Sequence, residues 1–270
     1  MKSKLKYINW FAEENDVTLE DGVPITSYKL DYTIDEETYN ELALHIRQHY
    51  ESDDELAKSI ITTKMSLENY LRQLVIPQRS DPFGATSRSN DFTEILISDL
   101  IEFIYKYDVP RCKQRNRSGK TQSEHGTDIL AYKFRKKDKS PSKKDTLLAI
   151  EVKAGLSSDD YTPISLAVSD SVKYDEVRYS HTLNYYRKKL YSIKNYKQAE
   201  EIARFQRKSE NDFIINYIAA AIISRETIPN NIISGIRGDT LALKQNNKIF
   251  LIHGKQLMNL AHDIFERCIK

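Results

Sequence analysis

The chain has 270 residues, 40% of them hydrophobic and 30% charged, which is enough apolar side chain for one large buried core or two modest ones. Eight glycines, seven prolines and 10% aromatics exclude collagen-like, low-complexity and disordered classes. The net charge is only +2, and the two cysteines, Cys112 and Cys268, build neither a disulfide framework nor a four-thiolate zinc site.

Taken in chain order, the start MKSKLKYINWF is basic but lacks the apolar stretch of a signal peptide. Tyr28–Ile34 alternates like a strand, and Asp35 caps a helix whose apolar stripe is Tyr39, Leu42, Ala43, Ile46 and Tyr50. A second helix is predicted over Asp53–Leu74, ending before Pro77. Residues 78–90, with Pro82, Gly84 and several serines, read as a linker or an active-site loop. Residues 1–80 are therefore expected to form an N-terminal α/β appendage offering a partner-binding surface, and residues 81–270 the main domain.

The main domain opens with a helix started by Ser89–Asp91, with Phe92, Ile95, Leu96, Leu100, Phe103 and Ile104 inward and Pro110 as its latest stop. A short strand is expected over Val109–Gln114. Thr127–Phe134 and Thr146–Ala154 are the clearest strands, joined by a lysine-rich loop as an antiparallel hairpin. Helical segments fill Ser169–Lys208. Phe213–Ser224 is an apolar strand, and its run Ile214–Ile223 is too short for a bilayer, which needs roughly 20 residues. A last strand, Lys248–Ile252, precedes a helix with Leu257, Leu260, Ala261, Ile264 and Phe265 inward. The fold class is α/β, a central mixed sheet flanked by helices. With no membrane segment in view and no disulfides, a cytoplasmic location is the expectation.

Charge is segregated. The stretch from Glu13 to Glu55 is acidic, whereas Arg111, Lys113, Arg115, Arg117 and Lys120 form a run without an acid. Lys133, Arg135, Lys136, Lys137, Lys139, Lys143 and Lys144 are interrupted only by Asp138. Local basic fields of this kind suit a phosphate backbone, although each run alone also reads as solvated surface.

The strand that begins at Thr146 ends with Glu151-Val152-Lys153. Period two puts Glu151 and Lys153 on one face, about 7 Å apart, where opposite charges need partners. Asp128 opens the neighbouring strand and can approach Glu151; two adjacent carboxylates call for a cation between them or a proton on one. A hard divalent ion suits such all-oxygen ligands. A structural salt bridge at a strand end is the plainer alternative. Glu94, on the inward edge of the preceding helix, adds a third acid.

A glutamate on the first helix, an aspartate at a strand start and Glu-x-Lys on the next strand resemble the PD-(D/E)xK nuclease superfamily over about residues 85–255. That resemblance implies a restriction-endonuclease-like core and cleavage of phosphodiesters dependent on Mg²⁺ or Mn²⁺. It assigns Asp128, Glu151, Glu94 and the Val152 carbonyl to the metal, and Lys153 to the attacking water. Lys113, Arg115, Arg117, Lys120, Arg135, Lys136 and Lys137 would hold DNA. Thr127 stands where many members have proline. The length, the acidic N-terminal part and the spacing of the motifs further resemble the HamA family, nuclease subunits of the Hachiman antiphage system. This implies a defence effector controlled by a superfamily 2 helicase partner, HamB-like, with no membrane involved. The alternatives are a non-catalytic DNA-binding or assembly subunit and a stand-alone type II restriction endonuclease.

Other signals are weaker. Ser118-Gly119-Lys120-Thr121 copies the tail of a P-loop, but position 114 is glutamine where the loop needs glycine. His45 and His49 stand at i and i+4, a zinc-compatible spacing; with no third ligand legible they read as surface residues. His125 reads as a polar loop residue. Tyr174, Tyr179, Tyr185, Tyr186, Tyr191 and Tyr196 suit base stacking or packing on the sheet.

Overall fold

The computed structural model describes residues 5–15, 17–122, 124, 126–173, 176–228, 233, 235–238 and 247–270. Asp16, His125 and Tyr174 lie outside the described residues. One mixed sheet of six strands organises the chain: β1 (Phe11–Glu14), β2 (Thr26–Leu30), β3 (Ile129–Lys133), β4 (Thr146–Gly155), β5 (Ile214–Ile223) and β6 (Asn247–His253), in the order β1-β2-β6-β5-β4-β3. The four inner strands run parallel, and the edge strands β1 and β3 are antiparallel to their neighbours. The expected α/β class with a mixed sheet is thus present. The boundary expected at residue 80 does not divide the sheet, because β2 pairs directly with β6.

Helices cover both faces. On one lie α1 (Glu36–Tyr50), α4 (Gly84–Asp99) and α8 (Leu257–Arg267), packed on Leu148, Ile150, Val152, Ile218, Ala220 and Ile222. Between α1 and α4 come α2 (Asp53–Thr63) and the single turn α3 (Leu67–Tyr70). On the opposite face, α5 (Thr162–Ser171) meets Ala219, Ala221, Ile223, Ile249 and Leu251. Beside it α6 (Glu176–Ser192) and α7 (Tyr196–Phe205) bury Leu130, Tyr132 and Leu147. Alternate residues of each inner strand thus feed two separate cores, which is why β4 and β5 read as near-continuous apolar runs.

Local chemistry sets the helix ends. Asp35 accepts from the Thr38 amide at 3.0 Å, and Ser52 and Glu55 form a reciprocal capping box at the start of α2. The single helix expected over Asp53–Leu74 is instead broken after Thr63 by Lys64 in the left-handed conformation, φ 56°. The helix expected to open at Ser89 starts earlier, at Gly84, and continues beyond Asp99 through a wider turn over Leu100–Ile104. The strand expected over Val109–Gln114 is absent; an isolated bridge from Asp108 to Tyr132 stands there, followed by turns. Pro110 withholds an amide and Lys113 turns inward to acids, so this segment follows side-chain partners rather than a ladder.

Candidate active site

The register of β3 against β4 creates the site. Ile129 faces Ile150, so β3 begins where β4 still has five residues to run, to Gly155. Asp128 stands just ahead of β3 and takes over there: its Oδ2 accepts the Val152 amide at 2.8 Å. The Thr127 hydroxyl donates to the Ile150 carbonyl at 3.0 Å, and the Tyr186 hydroxyl to the Asp128 carbonyl at 3.0 Å. The carboxylate of Asp128 is thereby tied to the rim of the sheet. Glu94, Asp128, Val152 and Lys153, with Pro163 and Leu166 of α5, line a cleft of about 240 Å³ at this rim.

The sheet separates the other acids. Val152 packs on the α4 side, so Glu151 leaves on the α5–α6 side, where it is 4% exposed and accepts from Arg178 Nη2 at 3.3 Å. Glu94 approaches from the α4 side. Lys113 lies between Glu94 and Asp128: its Nζ is 3.9 Å from Glu94 Oε1 and 3.5 Å from Asp128 Oδ1, and it donates to the Thr127 carbonyl at 3.2 Å. Gln114 Nε2 donates to Glu94 Oε2 at 3.2 Å. Lys153, expected beside Glu151, instead places Nζ 2.6 Å from Asp170 Oδ2. Glu94 and Asp128 therefore come together around Lys113, Glu151 stands on the far side of the rim, and the Lys153 amine is turned to α5.

Electrostatics distinguish this cluster. Burial, with the negative charge of Asp128 added, pushes both Glu94 and Glu151 up to about 7, against the partial relief of Lys113 and Arg178. Burial works against the charge on Lys113, but Glu94, Asp128 and Glu151 outweigh it and hold the ammonium above its usual range. Lys153 behaves likewise: burial opposes its charge, and the Asp170 hydrogen bond together with the charges of Asp170, Asp128 and Glu151 outweighs it. The carboxylates here are hard oxygen donors, but among the described residues Glu94, Asp128 and Glu151 do not gather as a trio of ligand atoms, and Lys113 stands between Glu94 and Asp128.

The basic residues fall into two groups. Lys113 is 5% exposed, and Arg117 forms a two-pronged pair with Asp91, at 2.5 and 2.8 Å. Arg115 meets Glu55 at 3.5 Å, and Lys120 meets Asp81 at 2.6 Å. These four, expected on a phosphate-binding surface, brace the loop against acids from α2, α4 and the turn before α4. Arg135, Lys136 and Lys137 are exposed in the loop between β3 and β4. Of the tyrosines, Tyr179, Tyr185 and Tyr186 pack in the α6–α7 core, whereas Tyr191 and Tyr196 are exposed.

Sequence reasoning missed Arg178, Asp170 and Gln114, and cast Lys113 in a different role. No spacing marks the first three. Lys113 adjoins Cys112, which is fully buried, and a small apolar residue inside a charge run was the available hint that the run turns inward.

No helix among the described residues is long and apolar enough to cross a membrane. The chain matches the HamA family over residues 6–268, and no curated protein matches it.

Proposed function

The chain belongs to the HamA family, a component of the Hachiman antiphage defence system, and from that premise we propose that it is a divalent-metal-dependent nuclease of the PD-(D/E)xK kind. Its substrate is DNA, and a superfamily 2 helicase subunit is the partner that controls it. What supports this reading is the rim cleft lined by Glu94, Asp128, Val152 and Lys153, with buried Glu151 on the far side of the same rim.

Asp128 and Glu151, with Glu94 and the Val152 carbonyl, would hold Mg²⁺ or Mn²⁺. Bound there, the ion supplies charge neutralisation at the phosphoryl oxygen and acidifies a ligated water. Lys153 orients the attacking water and stabilises charge developing on the phosphate once its amine parts from Asp170. Exposed Arg135, Lys136 and Lys137 hold the backbone of the duplex. The Lys153–Asp170 pair also favours a second reading, a DNA-binding or assembly subunit without catalysis.

Plasmid DNA incubated with the protein, with and without Mg²⁺, separates the two. Cleavage by the wild type that is lost in Glu151→Ala and Lys153→Ala supports the nuclease. Cleavage surviving both substitutions removes the site assignment. If the isolated wild type is silent, calorimetry decides instead: Mn²⁺ binding abolished by Asp128→Ala sustains the site, and no binding leaves the second reading.

A further inference from the structure

The histidine pair at i, i+4 has a third member that no spacing announced. Asp99, fully buried near the end of α4, brings Oδ2 to 2.9 Å from His45 Nε2. His49 Nε2 lies 3.2 Å from the same His45 nitrogen, with the two rings nearly perpendicular, at 86°. Among the described residues these are the ligand-type atoms that gather as a trio, all within 4.8 Å of one another.

Proton bookkeeping shows why this is an unusual way to arrange three polar side chains. If His45 Nε2 carries a proton, it must share one N–H between Asp99 and His49, and His49 Nε2 must be unprotonated to accept. If His45 Nε2 is bare, its lone pair faces a carboxylate oxygen 2.9 Å away. In the first case two acceptor lone pairs compete for one proton; in the second the His45 lone pair faces the carboxylate and only His49 can supply a proton. A cation satisfies all three together. Tetrahedral zinc with nitrogen and oxygen ligands at about 2.0–2.1 Å requires neighbouring ligand atoms about 3.3 Å apart, close to the His45–Asp99 and His45–His49 spacings of 2.9 and 3.2 Å.

The surroundings resemble the supports of a metal ligand. Tyr7 donates to Asp99 Oδ2. Arg111 Nη2 donates to Asp99 Oδ1 at 2.6 Å, which fixes the plane of the carboxylate and leaves Oδ2 turned to the histidines. Glu102 accepts from the same guanidinium at 2.6 Å, so the arginine charge beside the site is balanced. His45, His49, Glu102 and Arg111 also line an open cleft of about 350 Å³, which gives a fourth ligand access. Arg111 Nη1, buried, makes no hydrogen bond among the described residues.

We propose that His45, His49 and Asp99 bind one zinc ion that joins α1 to α4, with water in the fourth position facing the cleft. This site is separate from the rim cleft and does not rest on the nuclease reading. His49 and Arg111 do share a small cavity of about 20 Å³ with Glu94, Lys113 and Asp128, so the test must tell the two apart.

Full-length protein stripped with a chelator is titrated with Zn²⁺, and separately with Co²⁺ as a spectroscopic probe. The expected result is one equivalent bound, with the intense visible bands of tetrahedral cobalt. Partly exposed His45 makes His45→Gln the variant least apt to unfold; it should weaken zinc binding at least about tenfold and abolish the cobalt bands, whereas Asp128→Asn should leave both in place. Thermal melts confirm that each variant is folded. A folded wild type that binds no zinc overturns the proposal. So does zinc binding indifferent to His45→Gln, or lost in Asp128→Asn, since the ion would then reside elsewhere.

Discussion

Arg117 separates a structural reading of the basic loop from a nucleic-acid reading. Its guanidinium engages both oxygens of Asp91 on α4, at 2.5 and 2.8 Å, and lies 5.9 Å over the Tyr50 ring. Tyr50 donates to the same carboxylate at 2.5 Å, and Asp91 is 2% exposed. Arg117→Met keeps the length of the side chain and removes its charge, leaving a buried carboxylate with only the tyrosine. Removing one partner of a buried pair costs about 3–5 kcal/mol. For a chain of this size that lowers the melting temperature by about 6–20 °C. Urea unfolding followed by circular dichroism gives the free energy directly. The double variant Asp91→Leu with Arg117→Met should recover much of the loss, because no uncompensated charge remains. If Arg117 were instead a phosphate contact, the single change would cost under about 0.5 kcal/mol. It would also lower the salt dependence of DNA binding by about 0.9 in log–log slope. That pair of results would refute the strut. Lys136→Ala, in the exposed loop, should show the opposite pattern.

Three further outcomes follow from the rim. Burial lifts Glu94 and Glu151 from about 4.5 to about 7, so between those values the folded chain keeps protons that the unfolded chain has released. Raising the pH through that window therefore lowers the stability of metal-free protein, and Mn²⁺ should reverse the loss; melting curves from pH 4.5 to 8 that stay flat would contradict this. Lys113→Met removes the ammonium between Glu94 and Asp128, so stabilisation by divalent ions should grow, read as a larger Mn²⁺-induced melting shift than in the wild type. At Gly155 an added Cβ would lie 2.6 Å from Pro163 Cγ, and Gly155→Ala should cost about 1–3 kcal/mol in urea unfolding through overpacking of α5 against the end of β4.

What could be read in advance was local. The β3–β4 hairpin and the Glu151–Lys153 face follow from period two, and the stripes of α1 and α8 from period 3.6, because those patterns are written within one element. The pairing of β2 with β6 joins Thr26 to Phe250, and no local pattern encodes so distant a parallel contact. β1 is four residues long, too short for alternation to register. The basic loop shows a similar limit. Its charges are legible, but their burial depends on Asp91 and Glu94, both presented by α4, and on Glu55 of α2 and Asp128 at the start of β3. His45 and His49 could be paired by eye, whereas Asp99 comes from another helix, 54 residues on.

In the proposed reading, the side chains at the rim would themselves hold the site back. Each proposed functional group has an internal partner: Glu94 and Asp128 share Lys113, Glu151 meets Arg178, and Lys153 meets Asp170. Four acids thus face three bases, and burial, with the negative charge of Asp128 added, drives two of the carboxyls up to about 7. A divalent ion bound there would bring more charge than the ammonium, and so would favour ionised Glu94 and Glu151 and loosen Lys113 from its place between Glu94 and Asp128. Freeing Lys153 is a separate matter, since Asp170 belongs to α5 and would have to move or be screened. A phosphate backbone laid along the rim supplies the competing anion that Lys153 requires. Metal and substrate would then release different halves of the same lock. On this reasoning Asp170→Asn should raise the activity of the isolated chain, if the nuclease reading holds, while leaving its Mn²⁺ affinity unchanged.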